Sequence, residues 1–308
     1  MDLRNDQGNH QLGDFLEGKI NPSLLSLKNL YYLDLSRNDF HGHPIPNFFG
    51  KLTSLRYLNL SHASFVGEIP PALGNLSNLN YLPPALQLIF IIPITCLKTL
   101  DASDNFINLI LVEFANLKSL EDLDLSANFL QGQIPQVIGT LCNQRKLDFS
   151  WNSFNGSLEE VLNGFSNCTK YRLESLDLSH NMVEVHTKRM VVEDVFPAHM
   201  VLDLSYNQIR GKLPFHINFS SLRHIDLSHS QFDGPLPHWS SYAATILDLR
   251  SNSFSRPIPS NYDQLLPNLR VLCLSENHLN GSIPPSLCNM SSLSALVLRS
   301  NHLSGEFP

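Results

Sequence analysis

Carboxylate side chains recur at regular intervals along this chain of 308 residues. Pairs of carboxylates can act as acid and base in glycoside hydrolysis, which makes them candidates for catalysis. Each acid follows an aliphatic residue, and the set comprises Asp34, Asp101, Asp124, Asp148, Asp177, Asp203, Asp226 and Asp248. Because the same acid returns eight times in one setting, it belongs to a repeated unit. We interpret these acids as structural or solvating groups.

Histidine, the usual general base, stands in the tripeptide Leu-Ser-His at His62, His180 and His229. No orienting group for a catalytic triad accompanies these Ser-His pairs. His180 and His229 fall two repeats apart, roughly 10 Å in a stacked sheet, which is too far for one metal ion. Neither a Cys-x-x-Cys motif nor a Cys/His cluster suggests zinc. The sequence therefore predicts no enzyme, no metal and no cofactor; a pH-dependent surface stays open because histidine titrates near pH ~6.5.

A repeat of about 24 residues must position these side chains. Its frame, Leu-x-Leu-Ser-x-Asn, is usually followed by Phe/Leu-x-Gly-x-Ile/Leu-Pro. Numbered by the Asn position, the repeats fall at Asn38, Ala63, Asn105, Asn128, Asn152, Asn181, Asn207, Ser230, Asn252, Asn277 and Asn301. A partial repeat precedes them, with Asp14 at the Asn position. A fixed period of this length predicts a solenoid.

Each recurring position has a physical task. The two leucines alternate with polar residues, as in a short strand with one buried face. The asparagine amide can both donate and accept, so stacked asparagines should form a ladder along the turning loops. The later glycine permits a tight bend, and the proline after it rules out a long helix. No repeat buries its leucine face alone, so stability must come from its neighbours.

The extended frame resembles plant extracellular leucine-rich repeat proteins. Good examples are residues 272–284, Leu-Cys-Leu-Ser-Glu-Asn-His-Leu-Asn-Gly-Ser-Ile-Pro, and the similar run 202–214. Within that class the chain looks most like receptor-like proteins, especially the group containing the fungal ethylene-inducing xylanase receptors. The resemblance implies an α/β-type, β-rich leucine-rich-repeat solenoid of the plant extracellular type. It would be a curved right-handed superhelix with a parallel β-sheet on the concave face.

We expect one solenoid domain over residues 1–308, irregular at 64–99 and 182–200, where the repeat spacing or the Gly-x-Ile-Pro half is lost. The apolar run 86–94 is interpreted as a degenerate repeat, because a membrane span needs about 20 residues. Receptors of this class carry a signal peptide, cysteine-bearing caps and one membrane-spanning helix. None is visible in the sequence, which we therefore interpret as a fragment or a shortened product of such a receptor.

The concave face is the usual binding surface of a solenoid. Two columns vary most: the residue just before the Asn position and the residue just before the first leucine. Exposed aromatic residues on a rigid sheet are typical interface anchors. The predicted ligand-binding residues on this face are Lys146, Trp151, His180, Tyr206, His224, His229, Arg250 and Glu276.

Cysteines and glycosylation sequons add two further predictions. Cys142 and Cys168 occupy similar phases of adjacent repeats and could form a disulfide, while Cys273 is expected on an exposed strand face and Cys288 in a buried position. Seven Asn-x-Ser/Thr sequons fit a secreted glycoprotein. They are Asn59, Asn75, Asn155, Asn167, Asn218, Asn280 and Asn289. A glycan on Asn59 would cover the concave strand face.

Net charge is −7, and no basic stripe is present, which argues against a nucleic-acid partner. The resemblance implies a ligand-binding, non-catalytic ectodomain at the extracellular side of the plasma membrane. It would perceive a peptide, a microbial elicitor or a cell-wall signal in defence or development, and would signal through leucine-rich-repeat receptor kinases as co-receptors. Two alternatives stay open: a soluble cell-wall protein resembling polygalacturonase inhibitors, and a nonfunctional truncated gene product.

Overall fold

The fold is seen in a computed structural model of the chain. The structure describes residues 1–5, 15–77, 97–110, 114, 116–157, 168, 172–184, 200–213 and 222–308. Asp14, the run 86–94, Asn167, Asn218 and most of the two irregular segments lie outside the described residues. None of the helices in the described part is long and apolar enough to cross a membrane.

The chain divides into two compact units. The first comprises Met1–Gln131 with Pro135–Asn152, and the second comprises Gly132–Ile134 with Ser153–Pro308. The prediction of one domain over 1–308 stays a prediction, and each unit is described by itself.

Short strands recur in every described repeat. Up to residue 152 they are β1 (Tyr32–Asp34), β2 (Tyr57–Asn59), β3 (Val66–Glu68), β4 (Thr99–Asp101), β5 (Phe106–Leu109), β6 (Asp122–Asp124), β7 (Gln131–Gln133) and β8 (Lys146–Asp148). From residue 153 to 213 they are β9 (Ser153–Ser157), β10 (Ser175–Asp177), β11 (Met182–Glu184), β12 (Met200–Asp203) and β13 (Arg210–Lys212). The remaining strands are β14 (Leu222–Asp226), β15 (Gln231–Gly234), β16 (Ile246–Asp248), β17 (Ser253–Arg256), β18 (Val271–Cys273), β19 (His278–Gly281), β20 (Ala295–Val297) and β21 (His302–Leu303).

Strand β1 and the even-numbered strands, here called the first row, contain the leading leucine of each repeat, which is replaced by Ile225 in β14. Within each unit they pair in parallel, as Leu33 with Leu58 and Leu247 with Leu272, and the pairing of β12 with β14 has a register shift between Met200 and Val201. Those leucines are fully buried. Strand β2 pairs directly with β4, so the long interval between Ala63 and Asn105 does not interrupt the row. The predicted parallel-strand solenoid is thus confirmed in each unit.

The odd-numbered strands from β3 onward, here called the second row, follow the Asn positions and also pair in parallel. Phe232 and Phe254 of this row are buried, and their rings stack 6.2 Å apart. The helical segments of the described residues are short. They are the α-helix Tyr262–Leu265 and the 3-10 helices Pro22–Ser26, Asn47–Lys51, Pro71–Ser77, Gln136–Thr140 and Pro285–Asn289.

The predicted asparagine ladder is present. In the second unit, Asn277 Nδ2 donates to the carbonyls of Leu274 and Ser275 in its own repeat and of Leu249 in the repeat before. Its Oδ1 accepts from the backbone N–H of Phe254 at 2.9 Å. In the first unit Asn128 makes the same set of bonds. Each asparagine therefore closes its own turn and joins it to the neighbouring repeat.

The repeated aspartate is a turn-capping residue, as its recurrence indicates. Asp124 Oδ1 accepts from the backbone N–H of Ser126 at 3.0 Å and from its hydroxyl at 2.6 Å. Asn59 occupies the same position in its repeat and accepts from Ser61 in the same way, at 2.9 and 2.8 Å. The capping function thus needs a side-chain oxygen and not a negative charge.

Replacing Asp124 by asparagine is therefore expected to stabilise the chain at neutral pH. Burial raises the pKa of Asp124 from its usual 3.8 to about 6, Ser126 opposes this shift, and the carboxylates of Asp148 and Asp101 add to it. The folded state then binds the proton more tightly than the unfolded state, so stability falls as pH rises from about 4 to about 6. Urea midpoints of Asp124→Asn and wild type should coincide near pH 4 and separate by pH 7. A difference that stays constant with pH would contradict this explanation.

Candidate functional site

Three aromatic rings from successive repeats of the second unit stack into one ladder. His180, Tyr206 and His229 each stand one residue before the Asn position. The ring centroids of His180 and Tyr206 are 4.1 Å apart, and those of Tyr206 and His229 are 4.0 Å apart. The interplanar angles are 12° and 11°, so the three rings are nearly parallel. We call these three residues the ring ladder.

The ring ladder is held at an unfavourable backbone conformation. Its residues have φ of 53°, 53° and 52°, in the left-handed region that L-residues rarely adopt. The whole column shares this conformation, because the chain must turn there to point the following asparagine inward. Glycine or asparagine would be the easier choice for such a turn. Large rings are present instead, and Tyr206 is 44% exposed.

Carboxylates lie in the first-row strands that precede the rings. Asp177, Asp203 and Asp226 each accept from the backbone N–H of the serine two residues later, at 2.9 Å. Burial lowers the pKa of His180, Asp177 opposes the shift, and the imidazole of His229 lowers the pKa further. The neutral, stacking form of His180 is therefore favoured.

Two other predicted residues of this unit are engaged with polar partners. Arg250 Nε donates to Asp248 Oδ2 at 2.8 Å, and the same pair forms an ion pair through Nη2. Glu276 accepts from the Ser251 hydroxyl at 2.6 Å and forms an ion pair with Arg299 at 3.2 Å. Because the hydrogen bond from Ser251 favours the ionised form, the pKa of Glu276 is lowered. These pairs extend a polar surface, and His229 of the ring ladder also contributes to the lowered pKa of Glu276.

The remaining predicted site residues occupy different positions. His224 is half-buried on β14, between Val201 and Ile246 on the adjacent strands. Lys146 and Trp151 belong to the first unit, where Lys146 is exposed on β8 and Trp151 is 60% exposed at φ 54°. That these residues form one binding patch with the ring ladder stays a prediction.

A tyrosine pair in the first unit was not singled out from the sequence. Tyr32 and Tyr57 stack at 4.3 Å with an interplanar angle of 7°. Burial, the neighbouring Tyr57 and then Asp34 raise the pKa of Tyr32 to about 12. Both tyrosines stand in the variable column before the first leucine, so identical aromatic residues in consecutive repeats were the available signal.

The cysteines correct one expectation. Cys273 is buried and Cys288 is exposed, the reverse of the prediction. Cys273 occupies the aspartate position of its repeat and pairs with Asp248 on the adjacent strand. Asp248 is buried as well. A strand residue that faces away from the core can therefore still be covered by its neighbours. Cys142 and Cys168 are both disulfide-bonded. That they pair with each other stays a prediction.

The described sequons differ in accessibility. Asn75, Asn155, Asn280 and Asn289 are exposed. Asn59 is half-buried, and its amide nitrogen donates to the Tyr57 hydroxyl at 3.3 Å. The four exposed sequons are thus the better candidates for glycans.

Known proteins share this repeat and this fold. A family model described as a leucine-rich repeat region matches residues 16–233, and a leucine-rich repeat model matches residues 268–290. Receptor-like protein EIX1 of Solanum lycopersicum is 32% identical over 303 residues, covering 95% of the chain and 27% of EIX1. The chain therefore spans about a quarter of the length of that relative.

Two solved structures carry the same architecture. The plant peptide hormone receptor RGFR1, in complex with RGF2, superposes with a TM-score of 0.77 at 27% identity, covering 96% of the chain and 43% of RGFR1. The Arabidopsis receptor kinase HAESA, in complex with the peptide hormone IDA and the co-receptor SERK1, gives a TM-score of 0.66 at 26% identity, covering 95% of the chain and 49% of HAESA. This chain therefore belongs to the leucine-rich repeat family, and its relatives include plant receptor-like proteins.

Proposed function

We propose that this chain is a non-catalytic, ligand-binding part of a plant receptor-like protein at the extracellular side of the plasma membrane. The observation that carries the proposal is the ring ladder. Three exposed or half-buried rings from successive repeats stack on one another in this column, whose other members share the same left-handed backbone. Aromatic side chains presented in this way are typical anchors of a binding interface.

The chemistry of the ring ladder fits a peptide or protein ligand. Stacked rings on a rigid sheet offer contact area at a small cost in side-chain entropy. The carboxylates of Asp177, Asp203 and Asp226 add negative charge close by in sequence, which favours a ligand with basic side chains. RGFR1 and HAESA are each solved with a peptide, which supports a peptide as the ligand class here.

Signalling is proposed to pass through a partner receptor kinase with similar repeats. HAESA binds its peptide together with the co-receptor SERK1, and EIX1 is named a receptor-like protein. The four exposed sequons agree with an extracellular location. A role in defence or development, with a microbial elicitor or a cell-wall signal as the natural ligand, remains part of this proposal.

Replacing Tyr206 by glycine separates ligand binding from folding. Glycine relieves the left-handed conformation by roughly 1 kcal/mol, and the lost stacking costs about the same. The urea midpoint should therefore change little. Short random peptides displayed on phage and selected on residues 1–308 should bind the Tyr206→Gly variant at least about tenfold more weakly than wild type.

The matched control is Ala127→Gly, which lies in the same column at φ 51° but removes only a methyl group. Its affinity for the selected peptides should equal that of wild type. Selected peptides should also be rich in Lys and Arg. Equal affinities for wild type and a folded Tyr206→Gly variant would overturn the proposal.

A further inference from the structure

A second surface of the second unit carries two cations that the fold does not use. Lys212 and Arg256 line an open groove of about 780 Å³, together with Gly234, His238, Ser255 and the prolines 235 and 257. The acidic residue nearest in register, Asp233, pairs with Lys212 across the adjacent strands β13 and β15 but forms no ion pair with it. Within the described residues, Lys212 and Arg256 have neither an ion pair nor a side-chain hydrogen bond. The lining of the groove is therefore positive in a chain whose net charge is −7.

Arg256 stands where the repeat demands glycine. The residue four positions after the Asn position has a positive φ in the described repeats, with the exception of Leu109. In most repeats this residue is a glycine, namely Gly42, Gly67, Gly132, Gly156, Gly211, Gly234, Gly281 or Gly305. In the repeat of Asn252 it is Arg256, at φ 78°. Arginine in this conformation is strained, since its Cβ crowds the backbone. A strained residue with an unpaired charge at the rim of a groove indicates a function outside folding.

Gly234, which also lines the groove, determines where the side chain of Lys212 lies. A Cβ at Gly234 would lie 3.1 Å from Cγ and 3.5 Å from Cε of Lys212, so the lysine stem lies directly over the Gly234 backbone. Gly234 and Arg256 stand on the adjacent strands β15 and β17, whose spacing is about 4.8 Å. Because Gly234 has no side chain, Lys212 can extend from β13 across β15, towards the neighbouring strand β17 that contains Arg256.

We propose that this groove binds an acidic peptide segment of a partner protein. The guanidinium of Arg256 can hold a carboxylate through two parallel hydrogen bonds, and Lys212 can take a second carboxylate as a point charge. Charge complementarity selects this occupant, because an acidic segment meets the positive groove while the rest of the acidic surface repels it. This surface and its ligand chemistry are independent of the ring ladder.

The deciding variant restores the glycine of the repeat. Arg256→Gly should raise the urea midpoint, because it removes the strained conformation, and should weaken binding of a fluorescein-labelled octaglutamate peptide at least about tenfold at low salt. Lys212→Gln should weaken the same peptide less, and Arg223→Gln, an exposed arginine outside the groove lining, should leave it unchanged. Anisotropy of the labelled peptide reports all three affinities with residues 1–308.

Two results would overturn the proposal. One is an octaglutamate affinity that is absent in wild type or unchanged in Arg256→Gly. The other is displacement of the peptide by an equimolar amount of inorganic phosphate, which would show a plain anion site and not a peptide groove. Arg256→Gly should leave the affinity for the phage-selected peptides of the ring-ladder test unchanged, so failure here is distinguishable from failure of the proposed receptor function.

Discussion

Replacing Asn277 by alanine is expected to lower the free energy of unfolding by about 3 to 5 kcal/mol, since a buried backbone group left without its partner costs roughly 1 to 3 kcal/mol. Asn277 is only 4% exposed, and its amide satisfies three carbonyls and one N–H. Alanine removes all four bonds. The three carbonyls each keep one other donor, from Asn252, Asn301 and Ser251, whereas the N–H of Phe254 is left buried without its acceptor. Urea unfolding followed by circular dichroism should show the loss as a lower midpoint.

The chain supplies an opposite variant and a natural exception. Ser230 occupies an Asn position, and its buried hydroxyl has no hydrogen-bond partner, so Ser230→Asn should raise the midpoint. Ala63 also occupies an Asn position, but there the Ala63 carbonyl itself accepts from the N–H of Phe40 at 3.1 Å. The following Ser64 adopts φ 58°, which rearranges the backbone locally. No such rearrangement follows Asn277, because strand β19 begins at the next residue. An unchanged urea midpoint in Asn277→Ala would therefore contradict the asparagine ladder as a source of stability.

Replacing Gln144 by leucine is expected to raise the free energy of unfolding by about 2 to 3 kcal/mol, since it removes a buried amide without partners and adds apolar contact. Gln144 is 2% exposed, and neither its amide oxygen nor its nitrogen forms a hydrogen bond in the structure. The same position holds buried leucines elsewhere, including Leu55, Leu120 and Leu269. The local backbone is alike, because the N–H of Gln144 donates to Leu141 as that of Leu120 donates to Leu117.

The control for that substitution is Gln136→Leu, the same chemical change at an exposed residue. It should alter the free energy of unfolding by less than about 0.5 kcal/mol. The thermal or urea midpoints of the two variants, each compared with wild type, measure the two changes in stability. A Gln144→Leu variant no more stable than Gln136→Leu would show that the amide is satisfied in solution.

The repeat frame predicts most of the fold because every repeat has the same buried strand face and the same turn to stabilise. Leucine alternation sets the first-row strands, and the asparagine amide is matched to the groups that each turn leaves open. The exceptions to the frame, at Ala63 and Gln144, could be understood only from the structure. Nothing in the identity of Ala63 shows that a backbone carbonyl replaces the missing amide, and nothing in Gln144 shows that its amide stays without partners.

The candidate site was only partly predictable for a different reason. Column positions identified His180, Tyr206 and His229 as neighbours, but the parallel stacking depends on ring rotation, which spacing does not determine. Arg250 turns to Asp248, a choice that depends on side-chain rotamers. Arg256 was open to prediction, since it breaks a run of glycines, but its strain becomes visible only through its φ.

The most direct test of the ring ladder as the ligand surface is nuclear magnetic resonance of the histidine rings during titration with a selected peptide. His278 and His302 form a ring pair at 5.7 Å in the second row of the same unit, so they are an internal reference. Binding at the ring ladder predicts that the imidazole signals of His180 and His229 shift while those of His278 and His302 stay in place. Shifts confined to His278 and His302 would place the ligand on the second row and contradict the proposed binding surface.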